Sequence, residues 1–301
     1  MRLSVAEKKF SIEAWKKVSP NTPISWIADA IGLSRKCLKE PSEDRNVRKE
    51  ASDRALRDKI VGILMEFPLY GYRKIARALA REGEKANKKR VARVMKKYGL
   101  EQKKKKRFTK TTNSHHALRT FPNRIAGIAA LYPHHIWASD ITYVRLEKGF
   151  CYVALIIDLF TRKVVGWAVE SPMEKELVLL ALEIALQRGI PLFHHSDRGG
   201  QYCAREYVEK LETFGVTISM ADPGMSVDNP FAESMNKTLK AEEVYLRDYR
   251  NVDEARASIG DFIENVYNVK RLHASIGYVP PMEFERNWRE AQEQHQELMR
   301  A

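Results

Sequence analysis

Two kinds of hydrophobic pattern divide this chain. Before residue 100, apolar residues recur every three or four positions, which predicts amphipathic helices. From residue 136 onwards, β-branched and aromatic residues come in short runs, which predicts strands. We therefore expect an all-helical N-terminal region followed by an α/β unit built on a mixed sheet.

The helical region contains two candidate DNA-binding pairs of helices. Residues 22–40 carry apolar side chains on one helical face and a glycine, Gly32, where a helix-turn-helix has its turn. An ordinary helical hairpin has the same pattern, and we favour the DNA-binding interpretation. A helix at 53–67 precedes the second pair, which we predict at 72–82 and 88–98.

Lys and Arg residues dominate the outer faces of these helices. Phosphates attract cationic side chains because binding releases condensed counterions. We therefore expect DNA contacts here, although a solvated surface has the same composition. The candidates in the helices are Arg35, Lys36, Arg73, Lys74, Arg77, Lys88, Lys89, Arg90 and Arg93. The predicted linker that follows adds Lys103, Lys104, Lys105, Lys106 and Arg107.

Charge also separates the two parts of the chain. Residues 1–120 hold 32 Lys and Arg against 13 Asp and Glu, whereas residues 121–301 hold 20 against 26. A basic part joined to a mildly acidic part favours a polyanion-binding module attached to another unit. No apolar run approaches the roughly 20 residues of a membrane span and the N-terminus lacks a secretory signal pattern, which favours a cytoplasmic protein. The three scattered cysteines indicate neither a disulfide framework nor a zinc finger.

The elements of the α/β unit follow from the same patterns. Glycine and proline residues separate apolar runs of strand length from runs of helix length. The strands are predicted at 136–146, 150–159, 163–169, 192–195 and 216–220, and the helices at 174–188, 204–214 and 252–267.

Three acidic residues are distinguished by the elements that carry them. Asp140 lies inside the first strand, where an ionised carboxylate is costly unless it is paired or bound to a metal ion. Asp197 follows a strand end, where α/β proteins place ligands, and Glu233 lies near the start of a helix that begins at Pro230. Carboxylates from separate elements can converge on Mg²⁺, although the spacing alone is weak evidence among 39 acidic residues.

The segments around these acids resemble the catalytic core of DDE transposases and retroviral integrases, and in particular the OrfB transposases of the IS3 insertion-sequence family. The 35 residues between Asp197 and Glu233 are the interval typical of that family. Residues 70–99 resemble the helical domain that precedes the core. The matching core residues are Trp137, Asp140, Thr142, Tyr143, His195, Ser196, Asp197, Gly199, Gln201, Tyr202, Asp228, Asn229, Glu233, Ser234, Tyr267, Asn268, Arg271, His273, Gly277, Tyr278, Pro280 and Phe284.

The resemblance implies a ribonuclease-H-like fold and a metal-dependent DNA reaction. Asp140 would bridge two Mg²⁺ or Mn²⁺ ions, and Asp197 and Glu233 would each complete one site. Water would free a 3′-hydroxyl at the element end, and that hydroxyl would attack a second phosphodiester. The implied partners are the terminal inverted repeats, target DNA, a second copy of the chain and an upstream-frame protein (OrfA), at the nucleoid and away from membranes.

Two lysines on the helix of Glu233 are further candidates for DNA contact. Lys237 and Lys240 follow Glu233 by four and seven positions, which puts all three on one helical face. A solvent-facing pair of lysines is the alternative. The segment 221–229 departs from the family pattern, and Arg271 and His273 match it without an assignable chemistry.

We predict four segments: residues 1–50 and 51–100 as two helical DNA-binding regions, 101–130 as a basic linker, and 131–290 as the catalytic core with a helical tail. Two other functions are compatible with these features. One is a nuclease of the same fold that cuts without joining, and the other is a DNA-binding regulator with an inactive site. The presence of all three acids disfavours the regulator, and the two helical regions disfavour a simple nuclease.

Overall fold

A computed structural model describes residues 4–33, 42–101, 119–171, 175–222 and 230–300. Several predicted features lie outside these ranges. They include the second helix of the first pair and much of the segment before Glu233. The candidate DNA-contact residues outside the described ranges are Arg35, Lys36, Lys103, Lys104, Lys105, Lys106 and Arg107.

The N-terminal helices form a small cluster of their own. Helix α1 (Val5–Val18), which we did not predict, begins with a capping box in which Ser4 and Glu7 bind each other's backbone N–H groups. Helix α2 (Ile24–Ala30) ends just before Gly32, whose φ of +61° fits the predicted turn. Ile12, Ile27, Ala28 and Leu33 are buried between these elements. Ile24, the first residue of α2, is 45% exposed, so the apolar face predicted for this helix is only partly buried.

Three further helices form what we call the helical unit. They are α3 (Ser42–Glu66), α4 (Tyr72–Arg81) and α5 (Lys88–Lys97). Their apolar faces meet in one core, as the three-and-four spacing predicts. That core consists of Leu56, Ile60, Ile63, Tyr70, Ile75, Leu79, Val91, Val94 and Met95, joined by Leu272 from the C-terminal part of the chain.

The α/β unit is built on a mixed five-stranded sheet, as predicted. Its strands are β1 (Ile136–Arg145), β2 (Phe150–Asp158), β3 (Val164–Glu170), β4 (Phe193–Ser196) and β5 (Thr217–Met220). Their order across the sheet is β3-β2-β1-β4-β5. The first three strands pair antiparallel, whereas β4 and β5 run parallel to β1. The parallel strands follow helices because a parallel pairing needs a long crossover connection.

Helices cover both faces of this sheet. On one face lie α6 (Lys175–Arg188) and α7 (Arg205–Thr213), and on the other lie α8 (Pro230–Glu242) and α9 (Val252–Asp261). The predicted helix at 252–267 changes to a π-helical turn over Phe262–Tyr267. The chain ends in α10 (Pro281–Arg300). Within the described ranges, no helix combines the length and apolar character needed to span a bilayer.

Gly166 allows α6 to approach β3 closely. A Cβ atom at this position would overlap the backbone carbonyl oxygen of Ala181 and lie 2.7 Å from the Cβ of Ala185. A glycine is therefore required where the strand and the helix cross, since backbone atoms cannot yield as a flexible side chain can.

We expect Gly166→Ala to lower the free energy of unfolding by about 2–3 kcal/mol, because the added methyl group must push α6 away from the sheet. Chemical denaturation measures the change. Gly62→Ala is the control, since Gly62 is an exposed position of α3 with nothing within 4 Å of an added Cβ. That substitution should stabilise the protein by about 0.5–1 kcal/mol. Equal effects of the two substitutions would contradict the close packing of β3 and α6.

Candidate active site

The strand register brings two of the three acids to the same edge of the sheet. In the parallel pair of β1 and β4, Ala138 is opposite His195. Asp140 and Asp197 each follow these residues by two positions, so the two acids are neighbours where β4 ends. This is the edge at which α/β sheets place their ligands.

A buried polar layer supports the end of β4. His194 is fully buried with its Nε2 3.0 Å from the Tyr207 hydroxyl, and burial lowers the pKa of His194 to about 3. His195 Nδ1 lies 2.9 Å from the hydroxyl of Ser219 on β5. Both histidines therefore serve as structural hydrogen-bonding groups at the end of β4. The next turn is fixed because the Gly199 N–H donates to Asp197 Oδ1 at 2.9 Å.

Helix α8 carries the third acid and a residue that our sequence analysis missed. Glu233 lies in the first turn of α8, and Asn236 follows one turn later. The Asn236 side-chain amide donates to Asp140 Oδ2 at 2.8 Å, and the Ile141 N–H donates to Asp140 Oδ1 at 2.9 Å. Asn236 is almost completely buried, and its Oδ1 makes no hydrogen bond. Asn236 follows Glu233 by three positions, and this spacing places both residues on one face of the helix. The spacing could therefore have identified Asn236 from the sequence.

The three carboxylates influence one another electrostatically. The pKa of Asp140 is raised from its ordinary value of 3.8 to about 7, first by burial and then by the negative charge of Asp197, with a smaller contribution from Glu233. The hydrogen bonds from Asn236 and Ile141 oppose this shift. The site thus gathers negative charge in a place where water cannot fully screen it, and a cation would be bound favourably.

The donor atoms of this site suit a hard cation, but the three side chains are not arranged closely enough to surround a metal ion. All three groups offer carboxylate oxygens, which Mg²⁺ and Mn²⁺ prefer over nitrogen or sulfur. Among the described residues, no three side chains of His, Cys, Asp or Glu stand close enough together to hold a metal ion. One reason is that Glu233 is turned towards Lys237, with its Oε2 3.0 Å from the lysine Nζ.

The two lysines of α8 lie in different environments. Lys237 is 75% exposed beside Glu233, as a residue that meets DNA would be. Lys240 is half-buried, and its Nζ lies 4.2 Å from the centre of the Tyr143 ring. Burial lowers the pKa of Lys240 below its usual value, and the negative charge of Asp140 partly offsets this effect. Lys240 therefore adds positive charge beside the acids.

The candidate DNA-contact residues of the helical unit divide into two groups. Arg73, Lys88 and Lys89 are exposed, and Arg73 also lies over the ring of Tyr72. Others are engaged within the protein. Arg93 makes a double hydrogen bond to the buried Asp53, Arg90 donates to Ser52, Arg77 lies over the ring of Tyr278, and Lys74 lies over the ring of Tyr70. DNA contact by all of these residues stays a prediction.

Family models match three stretches of this chain. An integrase core domain matches residues 131–226, and a second integrase core model matches 214–281. An HTH-like domain matches residues 51–108. The sheet order, the acids at its edge and these matches define an integrase-core polynucleotidyl transferase preceded by a helix-turn-helix-like, DNA-binding region.

Sequence relatives narrow this class to a family. A 31 kDa protein of insertion element IS600 from Shigella sonnei is 37% identical over 81% of this chain and 90% of the relative. The transposase for insertion sequence IS629, also from Shigella sonnei, is 37% identical over 72% of this chain and 74% of the relative. The transposase InsF for insertion sequence IS3A from Escherichia coli strain K12 is 33% identical over 72% and 76%. The chain belongs to the IS3 family of insertion-sequence transposases, and its class of reaction is DNA transposition of the DDE type.

Solved structures with a similar fold include two retroviral proteins. The HTLV-2 integrase catalytic core domain, in a dimeric form with magnesium, covers 52% of this chain and 97% of its own length, with 19% identity and a TM-score of 0.41. The catalytic core domain of BIV integrase covers 53% and 98%, with 21% identity and a TM-score of 0.41.

The raised pKa of Asp140 predicts how the metal-free protein responds to pH. An acid whose pKa is higher in the folded state destabilises the fold once it ionises, so this cost is absent below about pH 4 and complete above about pH 7. We expect Asp140→Asn to raise the free energy of unfolding by about 2 kcal/mol at a pH near 8 with a chelator present, and to have no such effect near pH 4.

Denaturation curves at the two pH values test this expectation. The matched control is Asp248→Asn, because Asp248 is an exposed aspartate and its replacement should change stability little at either pH. A pH-independent effect of Asp140→Asn would show that the pKa of Asp140 is not raised in the folded protein.

Proposed function

We propose that this chain cleaves the 3′ ends of its insertion sequence and joins them to target DNA, with Asp140, Asp197 and Glu233 as the catalytic, metal-binding residues. The observation that carries the proposal is that Asp140 and Asp197 are neighbours where β4 ends, with Asn236 of the Glu233 helix hydrogen-bonded to Asp140. The negative charges of Asp197 and Glu233 also raise the pKa of Asp140. The three acids come from a strand, a strand end and a helix start, so only the fold brings them to this edge of the sheet.

The three acids would hold two Mg²⁺ or Mn²⁺ ions. Such ions supply a more acidic bound water or hydroxyl and neutralise the negative charge of the reacting phosphodiester. The fit is supported by the all-oxygen donor set and by the raised pKa of Asp140, which a neighbouring cation would lower. We expect Glu233 to exchange its contact with Lys237 for a place beside Asp140.

Asn236 has a positioning role in this proposal. Its side-chain amide holds one oxygen of Asp140, which leaves that carboxylate in a single orientation. Its buried Oδ1 is free to accept a hydrogen bond from water beside Asp140. Loss of a group that orients a metal-binding carboxylate in this way commonly weakens metal affinity by about 10- to 100-fold.

DNA would be held by cationic side chains on both sides of the acids. Lys237 and Lys240 lie on the same helix as Glu233, and Lys240 reaches the neighbourhood of Asp140. The exposed Arg73, Lys88 and Lys89 of the helical unit would bind the element end through phosphates. The basic run of the predicted linker would add further sequence-independent affinity.

The remaining parts of the proposal concern organisation. Two element ends must be paired during transposition, so we propose that the chain acts as a homo-oligomer on the terminal inverted repeats and target DNA, at the nucleoid in the cytoplasm. An upstream-frame protein, as partner or fusion, is a further proposal. The four predicted segments, with boundaries near residues 50, 100 and 130, are kept as proposed domain limits.

We expect Asp140→Asn and Glu233→Gln each to reduce DNA cleavage and strand transfer by at least about 1,000-fold, because the site can then no longer stabilise the charge that develops at the reacting phosphate. DNA affinity should change less than about threefold, because cationic side chains away from the acids provide most of the binding. The substrate is a duplex carrying one terminal inverted repeat. Joining of a pre-cut 3′ end to a plasmid is measured separately from cleavage.

Asp248→Asn serves as the control for a lost surface charge and should retain both activities. Cleavage that persists in Asp140→Asn would refute the assignment of the site. Cleavage without joining by the unsubstituted chain would instead identify a nuclease of the same fold.

We expect Asn236→Ala to weaken Mn²⁺ binding by about 10- to 100-fold, because Asp140 loses the donor that orients it. Titration calorimetry without DNA measures this affinity directly. Asn265→Ala is the matched control, since Asn265 makes an equivalent hydrogen bond to Asp261 on an exposed surface. Equal Mn²⁺ affinity of the Asn236 variant and the control would remove Asn236 from the proposed site.

A further inference from the structure

The helical unit packs directly against the C-terminal part of the α/β unit. Tyr70 is fully buried, and its hydroxyl accepts the backbone N–H of Leu272 at 2.7 Å. Leu272 is itself a member of the hydrophobic core of the helical unit. The two residues are 202 positions apart in the sequence, so only the tertiary fold brings them together.

Two ion pairs surround this contact. Arg81 at the end of α4 makes a double hydrogen bond to Glu283 at 2.6 and 3.0 Å, and Lys270 donates to Glu66 of α3 at 2.7 Å. Exposed pairs of this kind contribute little to stability. They do favour one orientation of the helical unit, because each joins it to a different point of the C-terminal segment.

At the centre of the contact lies a buried arginine, Arg271. Its Nε and Nη2 donate to the two carboxylate oxygens of Glu242 at 2.6 and 2.7 Å, and its Nη1 donates to His273 Nε2 at 3.2 Å. The side chains of Arg271 and Glu242 are both only 9% exposed. Burial opposes the charge of Arg271, but the hydrogen bonds and charge of Glu242 outweigh it and raise the pKa of the guanidinium.

The helical unit adds a second cation to the same cluster. Lys74 of α4 is half-buried with its Nζ 4.8 Å from the centre of the Tyr70 ring. Burial and the neighbouring charge of Arg271 lower the pKa of Lys74 to about 8. Burial together with the charges of Arg271, Lys74 and Arg162 lowers the pKa of His273 to about 2, so His273 is a neutral acceptor. We call Tyr70, Lys74, Glu242, Arg271 and His273 the Arg271 junction.

The junction is connected to the acids through a single helix. Glu242 is the last residue of α8, and Glu233 lies in the first turn of the same helix. Glu242 follows Glu233 by nine positions, which corresponds to about 13 Å along an α-helix. The orientation of the helical unit is therefore tied to the element that carries Glu233 and Asn236.

We propose that Arg271 is a positioning residue that fixes the helical unit relative to α8, so that DNA held by the helical unit meets the three acids at a constant distance. This inference rests on the proposed function. The guanidinium is suited to the role because its planar fork binds a carboxylate in one geometry, whereas a lysine makes a point contact. A buried ion pair adds little stability compared with apolar packing, so we assign the Arg271–Glu242 pair to orientation through its two directional hydrogen bonds.

The geometric part of the proposal is tested without any activity measurement. Spin labels are attached at Glu82→Cys in the helical unit and Lys148→Cys in the turn after β1, both exposed positions, in a chain carrying Cys37→Ser. The remaining cysteines, Cys151 and Cys203, are buried. Pulsed electron resonance then reports the distribution of distances between the labels.

We expect one narrow distribution for the parent chain and at least a doubling of its width for Arg271→Lys. Tyr70→Phe is a milder second variant, which removes only the acceptor for the Leu272 N–H and should broaden the distribution less. Arg256→Lys is the control, because the Nη2 of Arg256 donates to both carboxylate oxygens of Glu170 away from the helical unit. A distribution in Arg271→Lys as narrow as that of the control would overturn the proposal.

The functional part is tested on the position and rate of strand cleavage. With a long terminal-repeat duplex at saturating concentration, we expect Arg271→Lys to lower the cleavage rate about tenfold and to spread cleavage over neighbouring phosphates, with DNA affinity unchanged within about twofold. A merely structural role would reduce the amount of active protein and leave the cleavage position unchanged.

The two measurements separate failure of this inference from failure of the proposed function. If the parent chain does not cleave DNA at all, the proposed function fails and the label distances still decide whether Arg271 fixes the helical unit. If the distances broaden while cleavage keeps its rate and position, Arg271 has no positioning role in the reaction and the inference is wrong.

Discussion

Repulsion between carboxylates is the constraint on which this structure depends. Asp140 lies half-buried beside Asp197 and Glu233, and the pKa of Asp140 rises to about 7 as a result. A fold accepts such an arrangement only when surrounding groups hold the acids in place against their mutual repulsion. A bound cation would relieve the same repulsion. Much of the remaining architecture can be understood as the support for this unfavourable grouping.

The supports come from both faces of the sheet and from outside it. Parallel pairing of β1 and β4 sets the two aspartates side by side, and His194 and His195 of β4 make buried hydrogen bonds to Tyr207 and Ser219. On the other face, Asn236 ties α8 to β1 through Asp140. The end of α8 is held in turn by Arg271, at the point where the helical unit packs. The candidate DNA-binding helices and the acids are thus linked through one continuous set of contacts.

The sequence predicted the local features of this design and missed those that depend on distant contacts. The strands were predictable because β-branched and aromatic residues come in short runs there, and the setting of each acid pointed to the sheet edge. The π-helical turn at Phe262–Tyr267 was missed because its apolar residues continue the helical spacing. Arg271 and Glu242 are 29 positions apart, and Tyr70 and Leu272 are 202 apart, so no local pattern could reveal these partners.

A crystal of the chain soaked with Mn²⁺ tests the assignment of the three acids most directly, because anomalous scattering locates manganese without reference to activity. We expect two manganese peaks about 4 Å apart, with Asp140 touching both and with Asp197 and Glu233 each touching one. We also expect Glu233 to have left Lys237 in that crystal. Manganese bound elsewhere, or bound without any of these three carboxylates, would show that the acids do not form the metal site.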